Sequence, residues 1–185
     1  MTRIFLPLSI VSTIFLVAAF LLGVQIDDPT VLNRAVQAGV SAHFLTALAA
    51  LCFTTLVHAV VLTYFMGTGR WIEETSQAYR LPATFFAENQ SLKYRVVPAI
   101  VGCFALLLVT GGLGAAVDPA SPVQFDSWLG LSAPMWHRVL AIVTLVANVA
   151  AHYGEYLALF RNGEVVEAVL AEVRRIRLEK GLAVE

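Results

Sequence analysis

Four stretches of the chain are free of charge, or nearly so, and each is long enough to cross a bilayer. A hydrocarbon core of about 30 Å takes roughly 20 apolar residues in a helix. Residues 4–26, 40–69 and 96–117 carry no Asp, Glu, Lys or Arg. Residues 134–160 carry two, Arg138 near the start and Glu155 near the end. No alternating strand pattern competes, and a backbone in lipid must satisfy its own hydrogen bonds, so all four are predicted to be helices. Arg3 before an apolar run is also how a secretory leader begins. The run is long for a leader and no small-x-small cleavage site follows, so it is taken as a retained span.

Between the spans the pattern changes. Residues 29–39 place Val31, Leu32, Ala35 and Val36 within one short stretch, which predicts a small helix lying on the outer surface. Residues 118–132 hold Pro119, Pro122, Phe125, Trp128 and Leu129, which predicts a loop dipping into the outer interface. Ser132 suits the cap of the fourth helix and Pro134 its first turn. Residues 164–180 put Val166, Val169, Val173 and Ile176 on one helical face. Acids come first and bases last there, matching the helix dipole. The expected fold is therefore all-α. Residues 1–162 form a four-transmembrane-helix bundle with short interfacial helices. Residues 163–185 form a separate cytoplasmic amphipathic helix, lying on the membrane or on the neighbouring chain, or docking a partner subunit.

Composition supports the membrane reading. Charged residues are 14% of the chain, against roughly a quarter in a soluble domain, and hydrophobic residues are 58%. That excludes a disordered chain. A net charge of −1 gives no electrostatic grip on nucleic acid. Cys52 and Cys103 lie in apolar runs and read as buried core residues rather than a disulfide. Lys and Arg set the orientation. Arg70, Arg80, Lys93 and Arg95 cluster between the second and third spans. Arg161, Arg174, Arg175, Arg177 and Lys180 follow the fourth, and Arg3 precedes the first. The opposite side has Arg34, with Arg138 just inside the fourth span. This bias predicts a multi-pass protein of a bacterial-type inner membrane with both termini cytoplasmic. Trp71, Trp128 and Trp136 fall at expected interfaces.

The candidate chemistry lies in four histidines, the only ones in the chain. His43 and His58 lie in the second span, His137 and His152 in the fourth, and each pair is fifteen residues apart. One span intervenes, so the two helices run the same way. Equal depth then pairs His43 with His137 near the outer side, and His58 with His152 toward the cytoplasm. A shift of 94 residues also superimposes Ala47 on Ala141, Leu51 on Leu145 and Gly69 on Gly163.

A haem iron takes two axial ligands on opposite faces of a flat macrocycle. Two parallel helices offering an imidazole at the same depth can clamp one haem, and a second pair a second. Fifteen residues separate the two irons by roughly 22 Å along the axis. They also leave the second histidine roughly 60° round the helix, which a crossing angle or a bend must absorb. Gly102 lies at the depth of His58 and His152, and Gly111, Gly112 and Gly114 at the depth of His43 and His137. These glycines leave room for a ring or for close helix packing. Arg138 can face an outer haem propionate or reach for the interface. Arg70 and Arg161 can serve inner propionates or act as ordinary anchors.

Plainer readings stand beside these. A single membrane histidine usually bridges helices or sits at an interface. The protein could then be a cofactor-free scaffold or assembly subunit. A divalent-metal site is the chemical rival, but zinc and copper gather three or four ligands at one point. Covalent c-type haem is excluded, because no CxxCH occurs. Glu155 reads first as a side chain snorkelling to the interface, and second as one that tunes an inner haem or takes up protons beside a quinone. Tyr153 and Tyr156 read as packing or interfacial residues, and Thr54 and Asn148 as interhelical hydrogen-bonding residues. No phosphate loop, HExxH or nucleophile elbow is present. The short soluble parts leave no room for a catalytic domain, so any turnover would need partner subunits.

Taken together, His43, His58, His137 and His152 resemble the ligand set of di-haem b-type membrane cytochromes. The closest likeness is to the four-helix haem-bearing half of cytochrome b in quinol-oxidising complexes. The resemblance covers topology and histidine spacing over about 160 residues. It implies two non-covalent haem b groups with bis-histidine ligation, and clearance for the rings at Gly102, Gly111 and Gly112. It also implies electron transfer across the bilayer between a periplasmic redox partner and a quinone pool or partner subunit. The helices and loops of the quinol site of that family have no counterpart here.

Overall fold

The structure is a computed structural model and describes residues 1–123 and 125–183. Four helices account for most of it: α1 (Thr2–Val24), α2 (Arg34–Tyr79), α3 (Thr84–Ala116) and α4 (Ala133–Glu179). All four are long and apolar enough to cross a membrane. They run alternately up and down. The start of α1, the end of α4 and the α2–α3 turn lie at one end, here called the lower end. The α1–α2 and α3–α4 connections lie at the upper end.

α2 and α4 are much longer than a span needs, at 46 and 47 residues. That is about 70 Å each, more than twice a hydrocarbon core. The sequence explains it. No proline falls between Arg34 and Tyr79, and in α4 the one proline, Pro134, sits in the first turn, where a missing N–H costs nothing. Asn33 starts α2 by accepting the Ala35 N–H at 2.8 Å. Arg80 ends it in the left-handed region, at φ 54°, with Pro82 just beyond.

Two expectations change here. No separate helix lies over residues 29–39: the chain turns at Thr30, and residues from Arg34 onward are the first turns of α2. The tail is not a separate element either. It is the lower end of α4, helical without a break to Glu179. Its Val165 and Val169 are buried with Ile72 and Leu81, and Trp71, Phe85, Phe86, Val166, Val173 and Ile176 pack round them. The apolar stripe predicted for residues 164–180 is thus covered by the chain's own α2–α3 hairpin. On its outer side Arg175 hydrogen-bonds Glu172 and holds that carboxyl below its ordinary range.

Within the bundle α1 packs chiefly on α2, and α3 chiefly on α4. Hydroxyl pairs tie each couple: Ser12 with Thr54 at 2.7 Å, and Thr110 with Thr144 at 2.7 Å. The main core combines Phe5, Val57, Val61, Phe65, Leu92, Val96, Ile100, Ala158 and Leu159. Phe44, Leu45, Leu56, Leu108 and Val146 are exposed, whereas His58, Asn148, His152 and Glu155 are buried. An apolar exterior round a polar interior is what a lipid solvent selects. Cys52 belongs to that exterior, contrary to expectation, and Cys103 is buried as expected.

Above α4 the chain folds into a small hairpin, β1 (Ser127–Trp128) against β2 (Leu131–Ser132). Leu129 and Gly130 both have positive φ, 51° and 78°, as a type I′ turn requires. Trp136 on α4 donates its indole N–H to the Trp128 carbonyl at 2.9 Å and holds the hairpin over the helix start.

Candidate functional site

The polar interior has two levels, and each brings together one histidine from α2 and one from α4. At the upper level the rings of His43 and His137 meet edge-on, with centroids 6.2 Å apart and planes at 84°. His43 Nδ1 lies 2.9 Å from the Ala19 carbonyl of α1, and His137 Nδ1 lies 3.1 Å from the Thr110 carbonyl of α3. A carbonyl can only accept, so Nδ1 carries the hydrogen in both rings. The Nε2 lone pairs are then available, which is the tautomer that metal-ligating histidines adopt.

Glycine makes this placement possible. A Cβ at Gly23 would stand 2.7 Å from His43 Cε1, and one at Gly114 would stand 3.1 Å from His137 Cε1. Each carbonyl acceptor lies four residues before its glycine, one helical turn away: Ala19 before Gly23, Thr110 before Gly114. The α1–α2 and α3–α4 halves therefore hold their upper histidines by the same device.

The lower level is drier and more heavily bonded. His58 and His152 stand with centroids 5.2 Å apart and planes at 39°. His58 has no exposed surface. Its Nδ1 lies 2.6 Å from Glu155 Oε1, so that one proton is shared between imidazole and carboxyl. Its Nε2 lies 3.0 Å from Asn148 Oδ1. Asn148 spends its own amide N–H on the Thr144 carbonyl at 2.7 Å, so His58 Nε2–H is the donor to Asn148. Phe104 and Phe5 present edges to His58 and His152.

Three buried atoms at this level lack any hydrogen-bond partner: both ring nitrogens of His152 and Glu155 Oε2. Each such orphan costs about 1–3 kcal/mol. The ligand atoms of His58, His152 and Glu155 all lie within 4.8 Å of one another, the only such three-residue group among the described residues.

The remaining candidates are placed as follows. Gly102, Gly111 and Gly112 are exposed, with open space where a Cβ would stand. The third-helix glycine that meets a histidine is Gly114. Arg138 is exposed beside His137. Arg70 pairs with Glu74, and Arg161 with Glu88 and Glu164. Tyr153 is exposed, and Tyr156 packs against the main core. Thr54 and Asn148 each bond across helices, Thr54 to Ser12 and Asn148 to His58. Glu155 does not snorkel: it has no exposed surface, and it points across the bundle at His58 rather than along α4 to the interface.

Sequence reasoning passed over Gly23 and gave Glu155 its lesser role. Gly23 had a signal, since it precedes His43 by about the same interval as Gly114 precedes His137, 20 and 23 residues. No protein-family model, curated protein or solved structure matches the chain.

Proposed function

We propose that the chain is a di-haem b-type cytochrome subunit that carries electrons across a membrane. One observation carries the reading: the neighbouring imidazoles of His43 and His137, one from each helix, each pinned at Nδ1 and free at Nε2. His43 and His137 would hold the iron of a haem between α2 and α4 through their Nε2 atoms. Among the described residues these two histidines would be the protein ligands there, and an iron porphyrin would bring the remaining ones.

The donor set of the lower level fits the same group less closely. His152 has two buried nitrogens without partners, and Glu155 at His58 Nδ1 is the carboxylate–histidine arrangement found behind metal ligands. The rings are closer here, with centroids 5.2 Å apart, and His58 Nε2 is spent on Asn148. In this reading His43 and His137 hold one haem b, and His58 and His152 the other, both without covalent attachment. Gly23 and Gly114 leave space for the upper imidazoles. Arg138 offers a cation beside the upper level. When bound, the iron porphyrins supply one-electron chemistry; the protein supplies ligation, orientation and the setting of potentials. The described residues leave no folded part large enough for a catalytic domain, so the natural partners are redox subunits, lipid and a quinone pool. The Lys and Arg bias supports an inner-membrane location with the lower end cytoplasmic.

A second reading rests on the His58, His152 and Glu155 group. Three converging ligands suit a divalent cation with one open position, and make the protein a metal-handling one. Purification from haem-replete cells separates the two. Low-spin b-type bands in the reduced-minus-oxidised spectrum, lost from one level in each histidine variant, support the cytochrome. Stoichiometric zinc or manganese without such bands supports the metal protein instead.

A further inference from the structure

Between α2 and α3, where the apolar spans give way to charge, lies an open groove of about 510 Å³. Met66, Arg70 and Glu73 line it from α2, and Gln90 and Lys93 from α3. A Cβ at Gly69 would stand 2.7 Å from Asn89 Oδ1, so these two positions share a level. The two helices are antiparallel. Lys93 therefore lies about one turn above that level, beside the exposed Met66 and at the foot of the apolar part of α3. Arg70 lies at the level itself, and Glu73 about one turn below it. Going outward from the lipid, the groove presents apolar surface, then two cations, then an acid. Among the described residues neither Lys93 nor Glu73 makes an ion pair, and the Lys93 ammonium stands 4.8 Å over the Tyr94 ring. Arg70 is held by Glu74 alone, an exposed i, i+4 pair of the kind that yields readily. Gln90 Oε1 is shut off from solvent and has no hydrogen-bond partner. Such an acceptor is costly until a donor reaches it.

We propose that this groove holds the headgroup of a phosphatidylethanolamine lipid. The inference rests on the membrane-spanning helices and not on what the histidines hold. The fit is one of order and of chemistry. In such a lipid the phosphate lies next to the glycerol and the amine lies beyond it. With the acyl chains along Met66, the phosphate falls between Lys93 and Arg70, and the ammonium falls one step lower, at Glu73. The ammonium N–H groups donate to the Glu73 carboxylate and, after a small turn of the amide, to Gln90 Oε1. Hydrogen bonds between charged groups are the strong ones. A phosphatidylcholine headgroup carries the same charges but has no N–H to donate. A phosphatidylglycerol headgroup brings no cation for Glu73. The groove therefore selects a primary ammonium beside a phosphate, where a purely basic patch would favour the anionic lipid.

Native mass spectrometry of the full chain in detergent tests this, with dioleoyl phosphatidylethanolamine, phosphatidylcholine and phosphatidylglycerol titrated in turn. The wild-type protein is expected to retain phosphatidylethanolamine about tenfold more tightly than phosphatidylcholine, the size of one charge-assisted hydrogen bond. Glu73→Gln keeps the shape and removes the acid. It is expected to bring phosphatidylethanolamine down to the level of phosphatidylcholine and to strengthen phosphatidylglycerol. Lys93→Gln is expected to weaken all three, since each carries the phosphate. Glu73 is exposed and Lys93 half-buried, outside both apolar clusters, so both variants are expected to keep the wild-type helix content. Equal retention of phosphatidylethanolamine and phosphatidylcholine by the wild-type protein would overturn the proposal. A wild-type preference for phosphatidylglycerol would do the same, by showing an ordinary basic patch. So would a preference for phosphatidylethanolamine that Glu73→Gln leaves intact.

Discussion

The imidazole of His43 occupies the space that a side chain at Gly23 would fill: a Cβ there would stand 2.7 Å from Cε1. The same relationship recurs between His137 and Gly114, at 3.1 Å. In both, the imidazole also reaches a carbonyl one turn before the glycine. The helix pairs α1–α2 and α3–α4 are thereby built round one local arrangement, repeated.

Gly23→Ala is expected to push the His43 ring aside, because 2.7 Å is well inside any real Cβ contact. Haem affinity at the upper level should fall by about tenfold or more, the usual cost of disturbing a ligand's support. Gly114→Ala should do less, since its contact is 3.1 Å and the ring need give only a little. Gly67→Ala, with open space at its Cβ, serves as the control and should leave haem content unchanged. Haem per chain, measured on detergent-purified variants, checks all three.

His43→Ala and His137→Ala are expected to remove one haem and spare the other. His58→Ala and His152→Ala are expected to remove the other. The two classes should leave spectrally distinct single-haem proteins, because the surroundings of the two levels differ. Low-temperature difference spectra distinguish them. Identical residual spectra from both classes would contradict the assignment of two levels.

Ile72→Ala tests the lower end of the bundle. Ile72 is wholly buried against Val165 and Val169. Truncation to Ala in such a core costs about 2–5 kcal/mol. The cost should be local, loosening the lower part of α4 before the membrane part. Amide exchange over residues 165–176 should speed up, while that over residues 144–159 should stay slow. Uniform protection across both segments would show that the lower cluster does not hold α4.

The spans were legible because lipid imposes a length and a composition that few other settings share. All four expected segments lie within the observed helices to within about two residues. The lower extensions were not legible as helix. Arg70, Glu73, Glu74 and Arg80 look like a connecting loop when only hydrophobicity is counted. Nothing among them breaks a helix, though, and Ile72 and Trp71 supply the face that packs. The histidine pairing followed from direction and depth alone, and His43 with His137 and His58 with His152 do meet. The role of Glu155 depends on the azimuth of α4 relative to α2. Spacing along one helix does not contain that angle, so a carboxylate near a span end was read as reaching for water. Gly23 was hidden for a related reason: its contact lies across helices, at the end of a span that holds no histidine.

Pyridine haemochrome analysis of the purified wild-type protein, set against its protein concentration and total metal, tests the central claim most directly. The expected result is about two b-type haems per chain, with iron matching haem and no other metal in stoichiometric amount. A protein that is fully folded, prepared from haem-replete cells and yet free of iron porphyrin would contradict it.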